Sequence, residues 1–224
     1  MASELEVRRL GVVPYRDGLE MQRVLVAQRQ SGQVADLLLV LEHPHVITLG
    51  VSARGSRANI LVPDDELEKL GIELHTVSRG GNVTYHGPGQ LVGYPILDLR
   101  PDLCDVHRYV RALEDVLIRT ARCFGVVATR ADGLTGIWVG DAKLAAIGIR
   151  ISRWVTSHGF ALNVDTDLEY FELIHPCGLR GHGVTSLAAL TGGRVFASDV
   201  EPILVREFAT VFGRRPHASV CPWE

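Results

Sequence analysis

Thr135-Gly136-Ile137-Trp138-Val139-Gly140-Asp141-Ala142-Lys143-Leu144-Ala145-Ala146-Ile147-Gly148-Ile149-Arg150-Ile151-Ser152 decides the fold class. Two apolar runs of strand length are joined by Gly140-Asp141, a dipeptide suited to a two-residue hairpin. Hairpin strands run antiparallel, so the sheet that holds them is not the all-parallel sheet of a doubly wound nucleotide fold. Gly159 to Val164 reads as the strand after this pair, and Val126 to Arg130 as the strand before it. By period two, Lys143 shares a face with Ala145, Ile147, Ile149 and Ile151. A lysine leading an apolar face is either a snorkelling edge residue or a desolvated amine with a lowered pKa. The small side chains of Ala145, Ala146 and Gly148 leave room nearby for a long, thin apolar ligand, whose wall Gly159, Phe160 and Ala161 can extend.

Working outward, Val7 to Val13 reads as a strand and Tyr15 to Arg29 as a helix. Leu37 to Leu41 is a continuous apolar strand, followed by a kinked loop and a second short strand before Gly50. Pro63 opens a helix that ends near Gly71, and Ile72 to Ser78 alternates as a strand. From Val106 to Phe124 the apolar residues Val106, Tyr109, Val110, Leu113, Leu117, Ala121 and Phe124 form one helical stripe, with Gly125 ready to end it. Thr185 or Ser186 starts a short helix through Leu190. Ser198-Asp199-Val200-Glu201 reads as a capping box for a last helix to about Phe212. Strands in the middle with helices inserted or terminal predict an α/β fold, strictly α+β. The expectation is a mixed, largely antiparallel sheet packed with helices, one domain over residues 1–224 with its core at about 7–212.

A chain of 224 residues with 46% hydrophobic and 22% charged residues has enough apolar material for one sizeable core. A net charge of -3 argues against nucleic acid as a partner. Leu37 to Leu41 is stopped by Glu42 and His43, so no membrane partner is expected. Met1 to Glu6 lacks the layout of a signal peptide, and Cys104, Cys123, Cys177 and Cys221 form no C-x-x-C pair. Both observations suit reduced thiols and a cytoplasmic location. Cys104 and Cys123 flank the long helix and read as packing residues. Of 23 Lys and Arg residues only Lys69 and Lys143 are lysines. Lys69 lies among Asp64, Asp65, Glu66 and Glu68, where an ion pair accounts for it. No such acidic cluster surrounds Lys143, and releasing a proton is what arginine cannot do in its place.

Two further stretches carry chemistry. In Phe171-Glu172-Leu173-Ile174-His175-Pro176-Cys177-Gly178-Leu179 the proline stiffens the approach to the cysteine and the glycine frees the backbone beyond it. Such a corner presents a nucleophilic thiol, or it holds a half-buried cysteine of no chemical role. Arg79-Gly80-Gly81-Asn82-Val83-Thr84-Tyr85-His86-Gly87-Pro88-Gly89-Gln90 is either an elaborate hairpin turn or a loop whose glycines let the backbone approach a ligand. It lacks the phosphate-loop lysine and the dinucleotide spacing. His43, His45, His175, Cys177 and His182 lack the spacings of a zinc site, so no metal is expected. There is no G-x-S-x-G elbow.

Taken together, the Arg79–Gln90 stretch, the Gly140–Gly148 stretch with Lys143, and Pro176-Cys177-Gly178 followed by Val184-Thr185-Ser186-Leu187 resemble the lipoyl(octanoyl) transferases, over about Val7 to Phe212. The resemblance implies a fold similar to the biotin and lipoate protein ligase catalytic domain. It implies transfer of an octanoyl group from octanoyl-acyl carrier protein, through a thioester on Cys177 with Lys143 as its partner, to a lysine of lipoyl domains. Those domains would be the ones of 2-oxoacid dehydrogenase complexes and the glycine cleavage H protein. The substrate-binding positions it implies are Arg79, Gly80, Gly81, Asn82, Val83, Thr84, Tyr85, His86, Ala146, Ile147, Gly148, Gly159, Phe160 and Ala161. No cofactor is implied, neither ATP nor metal, because the octanoyl group arrives activated on a phosphopantetheine arm. Three other readings stand beside it: an ATP-dependent lipoate or biotin ligase, a non-catalytic lipoyl-domain-binding module, and a cysteine hydrolase with His86 or His175 as base. Arg54, Arg57, Arg130, Arg150 and Arg153 make either a patch for acidic carrier proteins or a solvated surface.

Overall fold

The chain runs β1 (Ser3–Val12), α1 (Tyr15–Gln30), β2 (Asp36–Glu42), β3 (Val46–Leu49), α2 (Asp64–Lys69), β4 (Glu73–Thr76), β5 (Val83–His86) and β6 (Gln90–Ile96). It continues through α3 (Val106–Cys123), β7 (Thr129–Ala131), β8 (Leu134–Val139), β9 (Ala142–Ser152) and β10 (Val155–Asn163). β11 (Gly183–Val184), α4 (Leu187–Thr191), α5 (Ala197–Phe212) and β12 (Arg214–Ala218) complete it. This computed structural model describes residues 3–53, 55–175 and 182–218, so Cys177 and Arg54 lie outside the described residues.

The large sheet has the order β12-β1-β2-β6-β10-β9-β8-β7, with β11 beside β9. β1 pairs in parallel with β12 and β2, and β11 in parallel with β9, while every other neighbouring pair is antiparallel. A smaller sheet, β4-β3-β5, stands apart from it. The expected mixed, largely antiparallel sheet packed with helices is what forms. One face of the large sheet packs on α3 and α5, through Leu38, Val40, Leu91, Phe160 and Leu162 against Tyr109, Leu113, Leu117, Leu204 and Phe208. The other face buries Leu37, Leu39, Leu41, Val92, Tyr94 and Ala161 with Leu25 of α1. Among the described residues no helix is long and apolar enough to cross a membrane.

Several local readings change. Two strands, β5 and β6, run through and beyond a stretch read as a turn. They are not a hairpin, because β5 pairs with β3 and β6 pairs with β2 and β10. Gly93 and Pro95 disguise β6 in the sequence, and both have a packing reason. A Cβ on Gly93 would lie 2.1 Å from the Phe160 ring, and Pro95 falls just beyond the last residue of β6 that pairs with β10, Gly93 opposite Phe160. β10 starts at Val155 instead of Gly159, because Arg153 and Trp154 (φ +49° and +66°) make a tight turn without the usual glycine or asparagine. α5 starts at Ala197 with Phe196 as its cap, so Ser198 lies inside the first turn and caps nothing. Cys104 and Cys123 are exposed thiols, off the stripe that α3 buries.

Candidate functional site

The β9–β10 hairpin forms the floor of the site. Its registers Ala146↔Ala161, Ile147↔Phe160 and Gly148↔Gly159 lie side by side. The loop before β5 closes over them: Gly80 N–H donates to the Ile149 carbonyl at 2.8 Å. A side chain at Gly148 would strike this loop, since its Cβ would lie 3.0 Å from the Gly80 carbonyl and 3.1 Å from Arg79 Cδ. Between hairpin and loop runs an open-mouthed slot of about 40 Å³, the cleft of this site. Of the residues expected to bind substrate, Arg79, Gly81, Asn82, Val83, Thr84, His86, Ala146, Ile147, Gly148, Gly159, Phe160 and Ala161 all line this cleft. Gly80 and Tyr85 do not. Gly80 is the loop's anchor, and Tyr85 turns by strand alternation into the core of the small sheet. There it stacks on Tyr170 at 5.2 Å and its hydroxyl bonds His45 Nδ1 at 2.8 Å.

Arg79 is buried, and Thr48 holds its guanidinium. Nη2 donates to the Thr48 carbonyl at 2.8 Å and to Thr48 Oγ1 at 2.7 Å, and Nε donates to the same hydroxyl at 3.1 Å. Around it stands a group of rings whose members the sequence scatters over 144 positions: Tyr15, His43, His86, Tyr94 and His158. Tyr15 stacks on His86 at 6.0 Å and meets His43 edge-on at 5.0 Å, and Tyr94 meets His158 edge-on at 6.3 Å. Burial keeps all three imidazoles neutral, holding His43 down to about 4, His86 to about 3 and His158 to about 4. Burial likewise pushes the Tyr15 hydroxyl up to about 12. The neutral state fixes the His43 tautomer: Nδ1–H donates to the Val13 carbonyl at 2.6 Å, and Nε2 accepts from the Tyr94 hydroxyl at 2.7 Å. The result is a cleft end lined by rings that carry no charge at neutral pH. Tyr15, Tyr94 and His158 were not singled out from the sequence. A tyrosine opening a helix and a histidine within a strand carry no local signal, and only tertiary packing unites them.

Lys143 lies on β9, three residues before Ala146 of the cleft floor. Its strand carries one extra residue: Ile137 pairs with Ala145 while the adjacent Trp138 pairs with Lys143. This bulge at Leu144 reverses the alternation. Ala145, Ile147, Ile149 and Ile151 therefore pack toward α3 and α5, while Lys143 leaves their face and lays its Nζ over the Trp138 ring, 4.7 Å from the centroid. The expected shared face is thus corrected by a single inserted residue. Lys143 is buried, with 7% of its surface exposed.

The chain on either side of residues 176–181 is anchored. Before them, His175 N–H donates to the Asn59 carbonyl at 2.8 Å, and the Asn59 amide reaches Asn82 of the cleft loop at 3.1 Å. After them, Gly183–Val184 pairs with Ala142–Lys143 and Thr185 N–H donates to the Lys143 carbonyl at 3.0 Å. A chain of side-chain bonds connects this point to the cleft. Asn163 Nδ2 donates to the Thr185 carbonyl, Gln90 Nε2 donates to Asn163 Oδ1, and His86 Nδ1–H donates to Gln90 Oε1, at 2.9, 2.9 and 2.7 Å. Among the described residues no cluster of three metal-ligating side chains occurs. Of the arginines read as a possible patch, Arg57 is paired with Asp64 and Arg130 with Glu114 and Asp115, while Arg150 donates to Ser78 Oγ.

Residues 14–209 match the lipoyl protein ligase A/B catalytic domain family. An octanoyltransferase of Solibacter usitatus is 56% identical over 206 residues, covering 92% of each chain. The fold is similar to that of a bi-partite lipoate protein ligase from Thermoplasma acidophilum, at TM-score 0.71 and 17% identity over 98% of this chain and 88% of that one. It is similar, more distantly, to the biotin protein ligase of Aquifex aeolicus, at TM-score 0.55 and 10% identity over 94% and 70%.

Proposed function

The chain belongs to the lipoyl protein ligase A/B catalytic domain family, as an octanoyltransferase acting in lipoate biosynthesis, and we propose that it works through an acyl thioester on Cys177. The observation that carries this reading is the tie between the Cys177 segment and Lys143. Six residues after the cysteine the backbone joins the strand that bears the lysine, pairing with Ala142 and Lys143 themselves.

A free thiol with a pKa of about 8.5 is only a few per cent thiolate at neutral pH. An ammonium at Lys143 stabilises the thiolate. The thiolate attacks the carbonyl carbon of the octanoyl thioester, the carrier's pantetheine sulfur leaves, and Lys143 returns a proton to it. The octanoyl group now sits on Cys177 with its alkyl chain along the slot. The amine of a lipoyl-domain lysine then attacks this second thioester, gives up a proton to neutral Lys143, and expels the Cys177 thiolate. An amide replaces a thioester, so the second step runs downhill and needs neither ATP nor a metal. Lipoyl domains of 2-oxoacid dehydrogenases and the glycine cleavage H protein supply that lysine, octanoyl-acyl carrier protein supplies the acyl group, and a reducing cytoplasm keeps the thiol free.

Incubation with octanoyl-acyl carrier protein and no ATP is expected to add one octanoyl group to the intact mass, removable by hydroxylamine. Cys177→Ser is expected to show no such adduct. A full adduct on that variant would end the assignment, and a strict ATP requirement would favour the ligase reading.

A further inference from the structure

Trp138 raises a question of residue choice. It is buried, with 2% of its surface exposed, yet its indole N–H finds no acceptor among the described residues. A buried donor left unpaired is a cost that leucine or phenylalanine at the same position would not carry. The choice of tryptophan therefore needs a reason besides packing. Ile137, its neighbour on β8, enters the core against α3 and α5, and strand alternation turns Trp138 to the opposite face.

Three observations bring that ring to the chemistry. Trp138 is the in-register partner of Lys143, at the step where the bulge at Leu144 shifts the pairing. Lys143 Nζ stands over the face of the indole, 4.7 Å from its centroid. His182, five residues after Cys177, meets the same ring edge-on at 5.4 Å, just before Gly183–Val184 pairs with Ala142–Lys143. One indole thus lies against both the lysine and the chain that follows the cysteine.

The face of an aromatic ring carries the negative part of its quadrupole, and tryptophan offers the best such face to a cation. The attraction is stronger when the cation is shielded from water, and Lys143 is buried. It acts on the ammonium and not on the neutral amine. A lysine head on its flexible four-carbon stem is otherwise a poorly fixed point charge. We infer that Trp138 is a positioning residue, whose ring face holds the Lys143 ammonium where it serves the Cys177 thiol. This rests on the Cys177–Lys143 reading and adds to it what fixes the lysine.

Changing the electrons of the ring without its volume tests the role. Site-specific incorporation of mono-, di- and trifluorinated tryptophan at position 138 weakens the negative face stepwise and leaves size and shape nearly unchanged. The quantity read is the pH midpoint of Cys177 alkylation by iodoacetamide. It is followed by mass on the Cys177 peptide, so that the exposed Cys104 and Cys123 do not contribute. The midpoint is expected to rise with each fluorine. In Trp138→Leu it is expected to rise by about 0.5 to 1 pH unit, which slows alkylation at pH 7 about three- to tenfold. kcat/KM for octanoyl-acyl carrier protein should fall in the same order. Trp138→Phe, which restores an aromatic face, should recover part of what Trp138→Leu loses. In Lys143→Met the fluorine dependence should vanish, because the charge that feels the ring is gone. A midpoint indifferent to fluorine in folded protein, or a fluorine dependence that survives Lys143→Met, overturns the positioning role. The fluorinated series decides this even if Trp138→Leu folds poorly. Absence of any octanoyl adduct on wild-type Cys177 would instead overturn the reading beneath it.

Discussion

The two faces of the large sheet are built by the same strands and are chemically unlike. Toward α3 and α5 the side chains are Leu, Ile, Val and Phe, closed on one another, with Leu113, Val116 and Leu117 wholly buried. Toward α1 and the small sheet the same strands offer Ala146, Gly148, Gly159 and Ala161, and the space so left is edged by neutral histidines, tyrosines and a buried arginine. One face spends its residues on packing density, and the other gives density up for a slot and its chemistry. A substitution should therefore separate stability from turnover according to the face it touches.

The largest separation is expected at Lys143. In Lys143→Arg the positive charge stays, but a guanidinium does not release a proton as an amine can. Octanoyl transfer is expected to fall by at least about a hundredfold, the usual weight of a positioned acid–base group. The same replacement at Lys69, an exposed lysine paired with Asp65 at 2.8 Å, should leave turnover and melting temperature as they are. Wild-type transfer rates in Lys143→Arg would remove the proton-transfer role.

Leu117→Ala is the converse. Leu117 is fully buried on the packed face, and losing its side chain there costs about 2–5 kcal/mol. Chemical denaturation should report that loss while kcat/KM per folded molecule stays within a factor of about two. A collapse of activity without a loss of stability would mean that the two faces are coupled and the comparison is wrong.

The sequence is readable where a face repeats a simple period and opaque where it breaks one. α3 is legible because Tyr109, Leu113 and Leu117 repeat at helical spacing and bury on that spacing. The hairpin at Gly140 and the mixed sheet follow from similarly local patterns. Lys143 was recognisable as unusual, yet its face came out reversed, because the bulge at Leu144 depends on how β8 meets β9. β6 hid behind Gly93 and Pro95, whose reasons lie in Phe160 and in the end of the β10 ladder. The cleft loop and the 146–148 and 159–161 segments were visible as small-residue stretches. His86 stood within that loop stretch, but the rings that join it, Tyr15, Tyr94 and His158, carried no local signal, since their meeting is a property of the tertiary fold alone.

Acid should expose the same asymmetry, with the smallest of these effects. His43, His86 and His158 are held neutral by burial, at about 4, 3 and 4, whereas an unfolded histidine titrates near 6.5. Above about pH 6.5 both states are neutral and these groups leave stability unchanged. As pH falls below that, the unfolded chain takes up protons that the folded cleft refuses, so stability drops until the folded values are reached. The loss is on the order of 3–5 kcal/mol per histidine across the whole window, and about half of that by pH 5. His43→Gln removes one such group together with its bond to Tyr94. Its stability at pH 8 should be lower than wild type, but its further loss between pH 8 and pH 5 should be smaller. Leu117→Ala should keep the full wild-type loss over the same interval, because it leaves the three histidines of the other face untouched. Denaturation midpoints of the three proteins at pH 8, 6.5 and 5 decide the matter. Equal losses in wild type and His43→Gln would mean that the ring cluster is not what makes this face sensitive to acid.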